Sequence, residues 1–185
     1  MSTENHHMRL ATLLLILLLP ATAAARWPSG STERLAAHAQ IIADAAGEHG
    51  LDQGLLGALL VYETGVQGIQ GASADVWGAG QVAAVHIPRL IFRGYLSPGD
   101  GPEELLDVPT GIMCAAAVLG DYQRRIKGRS RHLVLSDYAM GAHGARDIQT
   151  DSEYSRGVVF NLVHVRSVLA AGLAMRSLCG PRSAK

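Results

Sequence analysis

Between Asp52 and Gly65 runs the segment that most restricts how this chain folds. Leu55-Leu56-Gly57-Ala58-Leu59-Leu60-Val61-Tyr62 is an apolar helical run, and it ends on a carboxylate, Glu63, just before Thr64-Gly65 breaks the periodicity. A carboxylate at the inner end of an apolar helix is desolvated, which disfavours its charged form and raises its pKa. Such a group stays able to donate a proton near neutral pH.

The remaining punctuation divides the chain into further helices. Ser31 offers an N-cap with Glu33 in the first turn, and Leu35, Ala39, Ile42 and Ala46 then recur at helical spacing until Gly47 and Gly50. Asp52 caps the apolar run. From Gly65 to Gly80 there are five glycines and few large apolar groups, a loop or a few very short strands bordering a cleft. His86 to Tyr95 reads as a short helix ending at Gly94, and 97–102 as turns. Pro109 suits the first turn of a helix that carries Ile112, Ala116 and Leu119 to Ile126, with Gly128 as its stop. Leu133 to Tyr138 forms a short helix before the glycine-broken stretch Gly141 to Gly144. Ser152 caps a last helix that carries Val158, Val159, Leu162, Val165 and Leu169 to Gly172. No internal repeat occurs. A chain of 185 residues, 48% apolar, suffices for one core, so the expectation is a mainly α single domain with a glycine-rich loop or minor β region beside a cleft.

The N-terminus reads as an address. His6-His7-Met8-Arg9 precedes the leucine-rich core Leu13 to Leu19, then Pro20 and Ala21-Thr22-Ala23-Ala24-Ala25. A basic start, a short apolar core and an Ala-x-Ala site make a secretory signal peptide. The core is too short to span a bilayer comfortably, and Met8 is an alternative start. The division is then 1–25 signal peptide, 26–31 linker, 32–175 the single helical domain and 176–185 tail, exported to a bacterial periplasm or envelope. In that oxidising space Cys114 and Cys179 form a bridge, or Cys114 is a small core residue among Met113 and Ala115 to Ala117.

Several chemistries find no footing. Sixteen basic residues balance sixteen acidic ones, and no aromatic residue interleaves with the local cluster Arg124-Arg125-Lys127-Arg129-Arg131, so nothing suggests a nucleic-acid binder. That cluster is a solvated helix end or a contact for acidic wall polymer. His38, His49, His86, His132, His143 and His164 lack metal spacing, and His143, the one in a cleft segment, reads as a loop residue. Glu48 also follows a helical stretch, but beside His49 and Gly50 it reads as solvent-exposed. No nucleophile elbow, Cys/His dyad or phosphate loop is present.

Two later segments join Glu63-Thr64: Trp77-Gly78-Ala79-Gly80-Gln81-Val82 and Leu135-Ser136-Asp137-Tyr138-Ala139-Met140-Gly141. Glu-Thr, then Gly-x-x-Gln, then Tyr-x-x-Gly resembles, in order and spacing, the lytic transglycosylase (lysozyme-like) domain, over roughly Leu35 to Leu169. In that family the first motif is Glu-Ser, the second Gly-Leu-Met-Gln and the third Tyr-Asn-x-Gly. Here Thr64 stands for Ser, Ala79-Gly80 for Leu-Met and Ala139 for Asn, and Val66 replaces the usual aromatic residue.

The resemblance implies Glu63 as general acid and base, with Thr64, Gly80, Gln81, Ala139 and Gly141 at the substrate. Gln81 carries donors and acceptors suited to an N-acetyl or hydroxyl group, or it braces its own loop. Tyr138 aims its hydroxyl at Glu63, or is a buried aromatic. Trp77 and Tyr62 offer faces for sugar rings, or are core. Most glycosidases use two carboxylates. The matched segments supply one, which is enough if the C6 hydroxyl of N-acetylmuramic acid closes a 1,6-anhydro ring, with no metal or organic cofactor. The implied partner is the peptidoglycan glycan strand, cleaved by a monomer, with an envelope-spanning secretion, pilus or conjugation machine as a further partner. The alternatives are a goose-type lysozyme-like hydrolase, with Asp75 or Asp137 as the missing base, and an inactive glycan-binding scaffold disabled by Thr64, Val66 and Ala139.

Overall fold

The computed structural model describes residues 27–73, 75–125, 130–144 and 153–179. The expected signal peptide, the stop at Gly128, the cap at Ser152 and the last residues of the tail lie outside them. Eight α-helices and one two-stranded sheet appear among the described residues, the mainly α domain that the glycine and apolar spacing predicts.

The helices are α1 (Ser31–Ala37), α2 (Ala39–His49), α3 (Gln53–Thr64), α4 (Ile87–Phe92), α5 (Val108–Arg125), α6 (Arg131–Gly144), α7 (Glu153–Phe160) and α8 (Leu162–Cys179). Helix α3 is the apolar run, buried from Gly54 to Val61 without interruption. A helix that is apolar on all sides needs neighbours on all sides. Helix α8 packs along it and reaches α1 and α2, α7 covers its later turns, and α5 closes the core between α2 and α6. The fully buried side chains Leu35, Ile42, Leu56, Leu59, Leu60, Ile112, Leu119 and Leu169 meet at this centre.

Five boundaries differ from the spacing, each for a physical reason. Ser31 does not cap α1. Gly30, in the left-handed region at φ 74°, holds the cap position, and the Ser31 hydroxyl donates instead to Pro28 O at 2.6 Å. The first run breaks at His38 (φ −101°, ψ 9°), while Gly47 stays inside α2 and Gly50 ends it. The last run splits at Asn161, whose side chain donates to Gly157 O at 3.0 Å and accepts from Trp27 Nε1 at 2.9 Å. A short amide that bonds backbone in this way competes with helix continuation. Finally, α6 continues through Gly141 to Gly144. A glycine weakens a helix by about 1 kcal/mol relative to alanine, too little to stop one anchored by buried Val134 and Leu135. Gly172, expected as a stop, is buried within α8 instead. A Cβ there would stand 2.6 Å from Ala36 O, so its bare Cα is what lets α8 approach α1.

Asp52 caps α3 as its position predicts, accepting from Leu55 N at 3.1 Å and pairing with Arg166 of α8. Partial burial works to raise its pKa, but the bonds from Arg166 and Leu55 N outweigh that and hold it below the usual value. A lowered folded-state pKa stabilises the fold above the ordinary Asp range and loses that effect as pH falls through the lowered value. Asp52→Ala should therefore cost about 1 kcal/mol near neutral pH, read as a lower urea midpoint with unchanged slope. The deficit should vanish in acid, and a deficit constant across pH would contradict the assignment.

Candidate active site

The end of α3 is built by backbone before any side chain acts. Gly65 N donates to Val61 O at 2.9 Å and Val66 N to Leu60 O at 3.1 Å, closing the helix with Gly65 left-handed at φ 67°. Val66 follows at φ 62°, a strained value for a β-branched residue, and it is buried. The turn points Thr64 inward. Its hydroxyl accepts from Gln67 N at 3.0 Å and donates to Ala79 O at 2.8 Å, fifteen residues on.

Ala79 belongs to the tip of a hairpin. Strands β1 (Val76–Trp77) and β2 (Val82–Ala83) pair antiparallel, Val76 with Ala83 and Trp77 with Val82, and Gln70 bridges to Trp77. The connecting residues Gly78-Ala79-Gly80-Gln81 form a turn with φ of 79° at Gly78 and 51° at Gln81. Gln81 Nε2 donates to Gly78 O at 3.0 Å and to Ile69 O at 3.1 Å, so both amide hydrogens brace the loop. From the other side Tyr138 of α6 donates its hydroxyl to Gly80 O at 2.7 Å. A Cβ on Gly80 would stand 2.4 Å from that of Ala115. Only glycine allows the turn to sit against α5 while receiving the tyrosine.

Three segments distant in sequence therefore meet at one turn. Half-buried Glu63 stands beside Thr64 at the same place. Its charge is felt by Tyr138, whose ionisation is pushed well above the usual tyrosine range by burial first, then by Glu63 and by Tyr122. Tyr138 remains a neutral donor. The Tyr122 ring meets it edge-on, with centroids 6.3 Å apart.

Not every expected site residue presents itself to a ligand. The Tyr138 hydroxyl proton goes to Gly80 O rather than to Glu63, and the Thr64 hydroxyl is a buried strut. Trp77 packs against the core with its indole nitrogen buried and unpartnered among the described residues. The Tyr62 ring lies over Gly157 of α7 and the residue stays 43% exposed. Ala139 is exposed on α6, and Gly141 lies in the last turns of the same helix. Asp75 is exposed at the start of the hairpin and Asp137 half-buried on α6. Glu48 is exposed as its polar surroundings predict, and accepts from Tyr95 at 2.6 Å. Cys114 is a buried free thiol, pushed up to about 12 by desolvation, so of its two readings the core residue is the one observed. The Cys179 side chain lies outside the described residues. The part played by Tyr122 and the Gly80 carbonyl left no sequence signal, because both act through contacts from α5 and α6 that no local spacing encodes.

Compared with family models, curated proteins and solved structures, the chain matches none.

Tyr138→Phe keeps the ring against Tyr122 but leaves the buried Gly80 carbonyl unsatisfied. The cost should be about 1–3 kcal/mol, with faster amide exchange confined at first to the hairpin. An unchanged unfolding midpoint would show that water replaces the hydroxyl without loss.

Proposed function

We propose that this chain is an exported peptidoglycan lytic transglycosylase, which breaks the β-1,4 bond between N-acetylmuramic acid and N-acetylglucosamine and leaves a 1,6-anhydro end. The observation that carries the reading is the meeting of Glu63-Thr64, the Gly78–Gln81 turn and Tyr138 at one point, tied by the bonds to Ala79 O and Gly80 O. These are the three segments through which the sequence resembles that family.

In this reading Glu63 protonates the glycosidic oxygen, and as a carboxylate it then takes the proton of the C6 hydroxyl that closes the ring. The substrate's N-acetyl oxygen stabilises the cation-like centre between those steps. The tethered hydroxyl has a large effective concentration over free water, which favours ring closure. Thr64 and Tyr138 are positioning residues that hold the turn beside Glu63. Gln81 shapes the turn, since its amide hydrogens already serve Gly78 and Ile69.

Glu63→Gln preserves shape and cannot deliver the proton, so muropeptide release from sacculi should fall by at least about 10²–10⁴-fold in a protein that still folds. Near-normal digestion by a folded Glu63→Gln chain would end the assignment. Mass spectrometry of wild-type digests should show 1,6-anhydromuramyl ends, lighter than hydrolysis products by one water. Reducing ends carrying oxygen from labelled water would make the protein a hydrolase, and binding to sacculi without release would make it a scaffold.

A further inference from the structure

Helix α4 and the last turns of α5 face one another across a charged cluster outside the site above. Asp121, whose side chain is 12% exposed, accepts from Arg89 Nε at 2.6 Å, from Arg93 Nη1 at 2.8 Å and from Arg124 on its own helix. Burial works against its ionised form, but the hydrogen bonds from Arg124 and Arg89 and the charge of Arg93 hold its pKa below the usual range. Arg125 adds a fourth guanidinium and has no carboxylate partner among the described residues. Among the described residues two carboxylates, Asp121 and the nearby Glu48, therefore answer four cations, and the potential left over is positive.

A small open pocket lies there, lined by His86, Arg89, Val118, Asp121, Tyr122 and Arg125. His86 Nε2 is 3.4 Å from the Tyr122 hydroxyl, and the two rings meet edge-on at 6.0 Å. The opposite neighbour of Tyr122 is Tyr138, so the pocket stands one aromatic ring away from the residue that senses Glu63. Phe92, 90% exposed, lies three residues after Arg89 and hence on the same side of α4. An exposed aromatic face beside one guanidinium group, that of Arg125, with no carboxylate partner among the described residues suits a ligand that is apolar on one side and anionic on another.

We propose that this pocket binds the carboxylate of an anionic sugar, with Arg125 and Arg89 facing the carboxylate and Phe92 covering the ring. The identity of the sugar, a muramic acid whose lactyl group carries the charge, rests on the glycan-cleaving reading. His86 reports occupancy. In the free protein its pKa is lowered by burial first and by the Arg125 charge next, with Arg89 adding to this and Asp121 opposing it. A bound carboxylate favours the imidazolium, so occupancy raises that pKa.

The test follows the His86 ring resonances of the full chain by NMR across pH, at matched ionic strength, with N-acetylmuramic acid or with N-acetylglucosamine, which lacks the carboxylate. The His86 pKa should rise by about one unit with the first and stay put with the second. Arg125→Gln should remove at least half of the rise, and Arg125→Lys should keep most of it. No rise with N-acetylmuramic acid, an equal rise with N-acetylglucosamine, or a full rise in Arg125→Gln would each overturn the proposal. Neither sugar contains a bond to cleave, so the outcome is independent of whether sacculi are digested.

Discussion

The Ala79 and Gly80 carbonyls point in different directions from one tight turn, and each receives a hydroxyl from a different helix. Thr64 reaches Ala79 from the end of α3, and Tyr138 reaches Gly80 from α6. A buried carbonyl without a donor costs more than a typical net hydrogen bond contributes. Each bond therefore matters chiefly for the vacancy it prevents. Together they fix a short hairpin, too small to be stable alone, against the two helices that carry Glu63 and Tyr138.

The fold was legible wherever burial follows local pattern. The run after Asp52 predicts a helix apolar all round, and every residue from Gly54 to Val61 is buried. What sequence could not supply were breaks decided by tertiary contact. Gly172 looks like a stop and serves as the close approach of α8 to α1. The valine-rich final run looks continuous, yet it divides at Asn161, which Trp27 engages from the other end of the chain.

The candidate site was legible as a set of segments and less so as a set of contacts. Glu63, Gln81 and Tyr138 do gather around one turn. The spacing could not reveal that Gln81 would spend both amide hydrogens on Gly78 and Ile69, or that Tyr138 would donate to backbone rather than to the acid. Hydroxyl and amide side chains have several partners in reach, and only the folded geometry selects one. The charged pocket shows the same limit. Arg124 and Arg125 stand out as a cluster at a helix end, but their meeting with Arg89, Arg93 and His86 depends on how α4 docks on α5.

If the turn is held jointly by the two hydroxyls, the losses caused by removing each should not be independent. A double-mutant cycle with Thr64→Val, Tyr138→Phe and the pair, measured by urea unfolding, tests this directly. The coupling should be at least about 0.5 kcal/mol, because once one anchor is gone the turn relaxes and the other has less to hold. Strictly additive losses would contradict it, since they would mean that α3 and α6 grip the hairpin separately and Glu63 is positioned by its own helix alone.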